Sequence, residues 1–150
     1  MNEALDLVLR QARAKIGSLM LFDPLERALR IVAARGFSQD IMDHIKNLRL
    51  TPGQGIAGHV YQTGHPYYLK SPEDDPLFVR QNIPVGPGFQ FLSIPLRNDH
   101  KQTVGVLNIH FPTESVLGPD DLMALSQLAN RLTVKYLPVF NSKNQSLLPC

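Results

Sequence analysis

The chain predicts an α+β domain built on antiparallel hairpins, and three observations carry that prediction. Two pairs of strand-like segments, 16–22 with 28–34 and 89–97 with 103–111, are each joined by a short polar link. Links that short connect antiparallel neighbours, because a parallel pair needs a long crossover. Amphipathic helical patterns stand at both ends, over residues 2–14 and from residue 119 onward. Between the hairpins lies L-T-P-G-Q-G-I-A-G-H-V-Y-Q-T-G, Leu50 to Gly64, in which Pro52 and closely spaced glycines lead into a short helix that Gly64 can end.

Each element has a local reason. In 2–14, Leu5, Leu9 and Ala12 recur at i, i+4, i+7, and Val8 widens the stripe. Strands 16–22 and 28–34 are joined by Asp23-Pro24-Leu25-Glu26-Arg27, where Pro24 suits the second position of a turn. Ser38 suits the N-cap of a helix carrying Ile41, Ile45 and Leu48 on one face. Residues 47–52 read as the end of that helix and a turn. A short helix follows over Gly55–Thr63, then a strand over Pro66–Lys70. Residues 70–88 contain Pro72, Pro76, Pro84 and Pro87 with Gly86 and Gly88, and read as a long irregular loop suited to a lid. Strands Phe89–Arg97 and Thr103–Phe111 flank Asn98-Asp99-His100-Lys101. The last helix starts at Gly118-Pro119-Asp120-Asp121, with proline at the first helical position and carboxylates opposing the dipole. Leu122, Leu125, Ala129, Leu132 and Tyr136 form its stripe, and Pro138 is expected to end it. The expected division is a domain over 1–138 and a loose tail over 139–150.

Composition narrows the function classes. A chain of 150 residues, 43% hydrophobic and 19% charged, is one domain with a full core. A net charge of +2 with scattered Lys and Arg gives no nucleic-acid footprint. No apolar run approaches the ~20 residues of a membrane span, and Met1-Asn2-Glu3-Ala4 does not open a signal peptide. Cys150 is the single cysteine, so cysteine-based metal sites are not expected and a cytoplasmic setting is. The five histidines lack a ligand spacing, so no metal site is predicted, and Glu73-Asp74-Asp75 reads as a solvated loop. No cofactor is called for. No nucleophile–base pair or paired-carboxylate pattern marks an enzyme.

G-Q-G-I-A-G at 53–58 formally matches the dinucleotide-binding fingerprint. That fingerprint needs a buried strand before it and a carboxylate about 20 residues on, and the lead-in from Asn47 to Pro52 supplies no such strand. Two readings remain for these glycines. They permit a tight turn and close backbone packing, or they present first-turn amides, those of Ile56 and Ala57 above all, to a polar or anionic ligand.

The order of elements, together with particular segments, resembles a GAF domain. The segments are G-S-L-M-L-F-D at 17–23, I-V-A-A-R-G at 31–36, P-G-Q-G-I-A-G-H-V at 52–60, T-G at 63–64, D-P-L-F at 75–78, F-L-S-I-P-L at 91–96 and V-G-V-L-N-I at 104–109. The resemblance covers residues 1–137. It implies a GAF/PAS-like, profilin-type central antiparallel sheet of about six strands, with the terminal helices on one face and a small-molecule pocket on the other. It further implies a cytoplasmic sensory or dimerisation module of a longer signalling chain with its own output domain, as in histidine kinases, phosphodiesterases, diguanylate cyclases and transcription activators.

Strand alternation says which side chains face that pocket. Leu107, Ile109 and Phe111 share the apolar face expected under the terminal helices; Val106, Asn108 and His110 share the mixed face. Leu92 and Ile94 oppose Phe91 and Ser93, and Leu19 and Leu21 oppose Ser18, Met20 and Phe22. The candidate ligand-binding set is Ser18, Met20, Ile56, Ala57, Phe78, Phe91, Ser93, Asn108 and His110. Ser18, Ser93 and Asn108 would pair with a ligand, with one another or with water. Some motifs of ligand-binding relatives are missing. Phe111-Pro112 and Gly118-Pro119 stand where cyclic-nucleotide-binding domains of the phosphodiesterase type carry their signature. Chromophore attachment of the phytochrome type and free methionine sulfoxide reduction both need a cysteine other than the one at the C-terminus. Haem-binding members use a pocket histidine, and His110 faces the right way for that or for a hydrogen-bonded wall position.

The expected function is binding of a small polar or anionic effector, signalled through the packing of the terminal helices. The alternative is a ligand-free dimerisation module, which a pocket filled by Phe78, Phe89 and Phe91 would favour. Met123, Leu128 and Val134 lie beside the main stripe of the last helix, and Leu7 lies off that of the first. These residues point to a homodimer through the terminal helices.

Overall fold

The structure is a computed structural model that describes residues 1–70 and 89–147, with side chains as far as Tyr136. The elements are α1 (Asn2–Ala12), β1 (Ile16–Asp23), β2 (Ala28–Arg35), α2 (Gln39–Ile45), β3 (Arg49–Leu50), α3 (Gly55–Thr63), β4 (Tyr67–Leu69), β5 (Phe89–Arg97), β6 (Thr103–Pro112) and α4 (Pro119–Leu147). One antiparallel sheet runs in the order β3-β2-β1-β6-β5-β4.

The turns form for the reasons their residues suggest. Asp23 Oδ1 accepts from the amides of Leu25 and Glu26, which closes the β1–β2 turn, and Arg30 pairs with the same carboxylate at 3.3 Å. Ser38 Oγ accepts from the amide of Ile41 and caps α2. Gly64 ends α3 at φ +73, a conformation other residues adopt only with strain. Asn98 Oδ1 accepts from the amides of His100 and Gln102 between β5 and β6.

Alternation divides the sheet as the sequence predicts. On one face Leu19, Leu21, Leu92, Ile94, Leu107, Ile109 and Phe111 pack against Leu5, Val8 and Leu9 of α1 and Leu125 and Ala129 of α4. On the other, Met20, Leu29, Phe91 and Val106 pack against Ile56, Ala57 and Val60 of α3. Each fully buried aliphatic side chain contributes about 1.5–3 kcal/mol, so both layers are held by hydrocarbon contact. Arg35 adds an exposed tie from β2 to Asp6 of α1 at 2.9 Å.

Three expectations change. Residues 47–52 are not only a helix end and a turn: Leu50 and Arg49 pair with Leu29 and Arg30 as the edge strand β3. Two residues are too few to show alternation, so that strand leaves no pattern in the sequence. α2 stops at Ile45, which leaves Leu48 in the connection, its amide donating to the Ile45 carbonyl. Pro138 does not end the last helix, because α4 continues to Leu147. A proline forfeits one amide bond and crowds the preceding turn, which weakens a helix without always stopping it. Residues 139–147 contain no glycine or further proline to break it. The predicted lid, Phe78 and the acidic run 73–75 lie outside the described residues.

Candidate functional site

The candidate site is built on the face of β1, β6 and β5 that α3 covers. Its floor is a row of polar side chains in register: Asn108 lies opposite Ser18 on β1 and opposite Ser93 on β5. Ser93 Oγ donates to Asn108 Oδ1 at 2.9 Å, and Asn108 Nδ2 donates to Ser18 Oγ at 3.3 Å. All three are buried. The three side chains thus pair with one another across the strands. Met20, Phe91, Ile56 and Ala57 surround the floor as part of a single apolar cluster.

His110 ends the row, two residues beyond Asn108 on the same face of β6. It is 9% exposed, and its Nδ1 is enclosed with no hydrogen-bond partner among the described residues. Three phenylalanine rings pack on the imidazole: Phe91 edge-on at 5.0 Å, Phe37 edge-on at 5.7 Å and Phe89 tilted at 5.2 Å between centroids. Burial among these rings lowers its pKa from the ordinary 6.5 to about 4, so the ring is neutral at physiological pH.

The glycines of 53–58 are accounted for by backbone geometry. Gly53 and Gly55 have φ of +87 and +65. A Cβ on Gly58 would stand 2.6 Å from the Thr51 carbonyl oxygen. The loop closes on itself, with the Gly53 amide donating to Gly58 O and the Gly58 amide to Gln54 O. Gln54 Oε1 accepts from the Thr51 amide. The first-turn amides of Ile56 and Ala57 meet no acceptor in any of these bonds, as the start of a helix leaves them.

Concavities also occur on the opposite side of the sheet. A cavity of about 30 Å³ under the terminal helices is lined by Ala4, Val8, Leu107, Ala129 and Leu132. An open groove of about 570 Å³ lies between Arg13, Val116 and Asp121, where α1 ends and α4 begins. Among the described residues no group of three or more His, Cys, Asp or Glu side chains stands close enough to hold a metal, and no helix is long and apolar enough to cross a membrane.

Residues that the sequence reading left out prove structurally prominent. Phe37 precedes the α2 N-cap, where an apolar residue signals a helix staple rather than a site wall. Gln90 is 1% exposed, its Oε1 accepting from the Tyr68 hydroxyl. Arg97 Nη2 donates to the Gly64 carbonyl at the end of α3. Neither pairing leaves a pattern in the linear sequence.

Known proteins agree with this architecture. The chain is 26% identical over 110 residues to the Nif-specific regulatory protein of Klebsiella pneumoniae, covering 73% of this chain and 21% of that protein. It thus spans about a fifth of the length of the curated relatives it matches. The fold superposes on a GAF domain/HD domain protein from Geobacter sulfurreducens with a TM-score of 0.74 and 13% identity, over 92% of this chain and 94% of that one. It also superposes on the type II free methionine-R-sulfoxide reductase from Thermoplasma acidophilum, with a TM-score of 0.69 and 14% identity, over 88% and 86% of the two chains. The family model for the GAF domain matches residues 1–134. With the sheet order, the two-faced core and this match in agreement, the chain belongs to the GAF domain family.

Proposed function

We propose that this domain is the sensory part of a cytoplasmic regulatory protein, and that a small effector acts on the α3 face of the sheet. The observation that carries the reading is the buried polar row Ser18–Asn108–Ser93 with His110 beside it. It lies on one face of the same strands whose other face supports both terminal helices. Neighbouring residues of β6, such as Leu107 and Asn108, therefore serve opposite layers. The similarity to Nif-specific regulatory proteins supports a regulatory rather than a catalytic role. The reductase likeness extends to the fold, whereas the single cysteine of this chain stands at its last position. Transmission to an output domain would run through α1 and α4.

A second reading, a ligand-free dimerisation module, draws on two observations. Phe89 and Phe91 fill the space around His110. Leu7, Met123 and Val134 are exposed on the terminal helices at 43%, 60% and 48%, while Leu128 joins the core. A thermal-shift screen of cyclic nucleotides, 2-oxo acids, amino acids and haem, with amide exchange on each hit, separates the two. A ligand that binds the folded state raises its melting temperature, and it is expected to protect α3. Hits that protect only α1 and α4, or no hits at all, would count against the sensor.

A further inference from the structure

We infer that His110 is the recognition group for an uncharged ring compound carrying a single hydrogen-bond donor, of the phenol or indole kind, and that the Phe37 ring occupies its place in the structure described. The inference rests on the reading of the α3 face as an effector site and names the ligand chemistry.

The argument begins with the unpaired atom. His110 is nine-tenths buried, and Nδ1 has no partner among the described residues. Leaving a buried polar atom unpaired costs about as much as losing a hydrogen bond. A bare buried N–H is rarer than a bare acceptor, which assigns the proton to Nε2 and leaves Nδ1 as a waiting acceptor. Among the described residues nothing donates to it, which leaves the position open to a donor group of a ligand.

Charge and shape then limit the donor. The imidazole is neutral, and three phenyl rings surround it. No charged side chain donates to it or accepts from it among the described residues, so a carboxylate or phosphate brought there would lose its water without gaining a counter-charge from them. An aromatic body fits, because edge-on and tilted ring contacts are favourable at these separations.

One of the three rings is placed to leave. Phe91 is buried within β5, which is paired on both sides. Phe37 is only half-buried and sits in the link from β2 to α2, between Gly36 at φ +85 and the N-cap Ser38. Exchanging its ring for a ligand ring conserves volume, and the ligand adds the donor that a phenyl edge lacks.

The test uses phenol as probe, toluene as the same ring without the donor, and benzoate as the charged ring. Binding to the whole chain is followed by melting temperature and by the ¹⁵N resonance of His110 Nδ1. Phenol is expected to move that resonance and to bind about five- to tenfold tighter than toluene, with benzoate weakest. Phe37→Ala is expected to tighten phenol binding, and His110→Phe to erase the preference for phenol over toluene. Toluene binding as well as phenol, or an unmoved Nδ1 resonance at saturating phenol, overturns the inference. The resonance measurement uses the unaltered chain and stands whether or not either variant folds. Should one of the screened metabolites shift Asn108 and Ser93 while phenol leaves His110 untouched, the effector-site reading survives and this inference alone fails.

Discussion

Acid should unfold this domain partly through His110, and the size of the effect follows from its environment. Folding lowers the imidazole pKa from 6.5 to about 4 by burying it among Phe37, Phe89 and Phe91. The unfolded chain therefore takes up the proton first as pH falls. The stability tied to the neutral ring is fully present above pH 6.5, declines between 6.5 and 4, and is gone below 4. At about 1.4 kcal/mol per pKa unit, the whole window is worth about 3 kcal/mol, and about 2 kcal/mol of it is already lost at pH 5. Urea unfolding at pH 8 and pH 5, on the natural chain and on His110→Leu, isolates the contribution because other titrating groups cancel in the difference. The natural chain should lose about 2 kcal/mol more than the variant between the two pH values. Equal losses in both chains would refute the assignment and show that the imidazole is not held neutral by burial.

Other consequences are as direct. Asn108→Ala removes the acceptor of Ser93 and the donor to Ser18, and should cost about 2–3 kcal/mol in urea unfolding; a loss under about 0.5 kcal/mol would mean that water replaces the amide without penalty. Gly58→Ala places a Cβ 2.6 Å from the Thr51 carbonyl oxygen, with an expected cost of about 1–3 kcal/mol; unchanged stability would show that the loop over α3 yields freely. If the terminal helices form a dimer, Met123→Glu with Val134→Glu should convert it to a monomer in sedimentation at micromolar concentration. A natural chain that is already monomeric there removes the premise.

What could be read in advance followed the physics of period. Strands with strict alternation declared both their extent and their faces, so Leu107 and Asn108 were assigned to opposite layers from sequence alone, and the structure agrees. Gly64 and Ser38 announced a helix end and a helix start through their own backbone and side-chain chemistry. Features set by distant partners were not readable. β3 exists because Leu29 and Arg30 of β2 offer a free edge, a fact no two-residue segment encodes. Whether Ser18, Asn108 and Ser93 pair with one another depends on the register of three strands, which alternation leaves open. The enclosure of His110 depends in part on Phe37, which sits in the β2–α2 link, far from it in sequence. Pro138 shows the opposite error, a strong local signal overruled by the helix around it.

The link between the two layers gives a last prediction. Gln90 precedes Phe91 in β5, so the two side chains point to opposite faces of the sheet. Phe91 packs on His110, while Gln90 Nε2 lies 3.2, 3.1 and 2.7 Å from the carbonyl oxygens of Pro112, Thr113 and Ser115. Those carbonyls belong to the end of β6 and the start of the connection into α4. The Tyr68 hydroxyl donates to Gln90 Oε1 and fixes the amide from the β4 side. A movement of β5 that accommodates anything at Phe91 therefore shifts the anchor of the chain that leads into α4. Gln90→Leu keeps most of the volume but strips the donor from all three carbonyls. The Pro112 carbonyl keeps the Ser115 amide as a donor, whereas those of Thr113 and Ser115 then need water or a rearrangement, so the amides of residues 114–118 should exchange faster while those of β1 and β2 are unchanged. Exchange in 114–118 that is indifferent to the substitution would show that Gly118 and Asp121, joined by their own 2.9 Å hydrogen bond, hold the connection without help from β5.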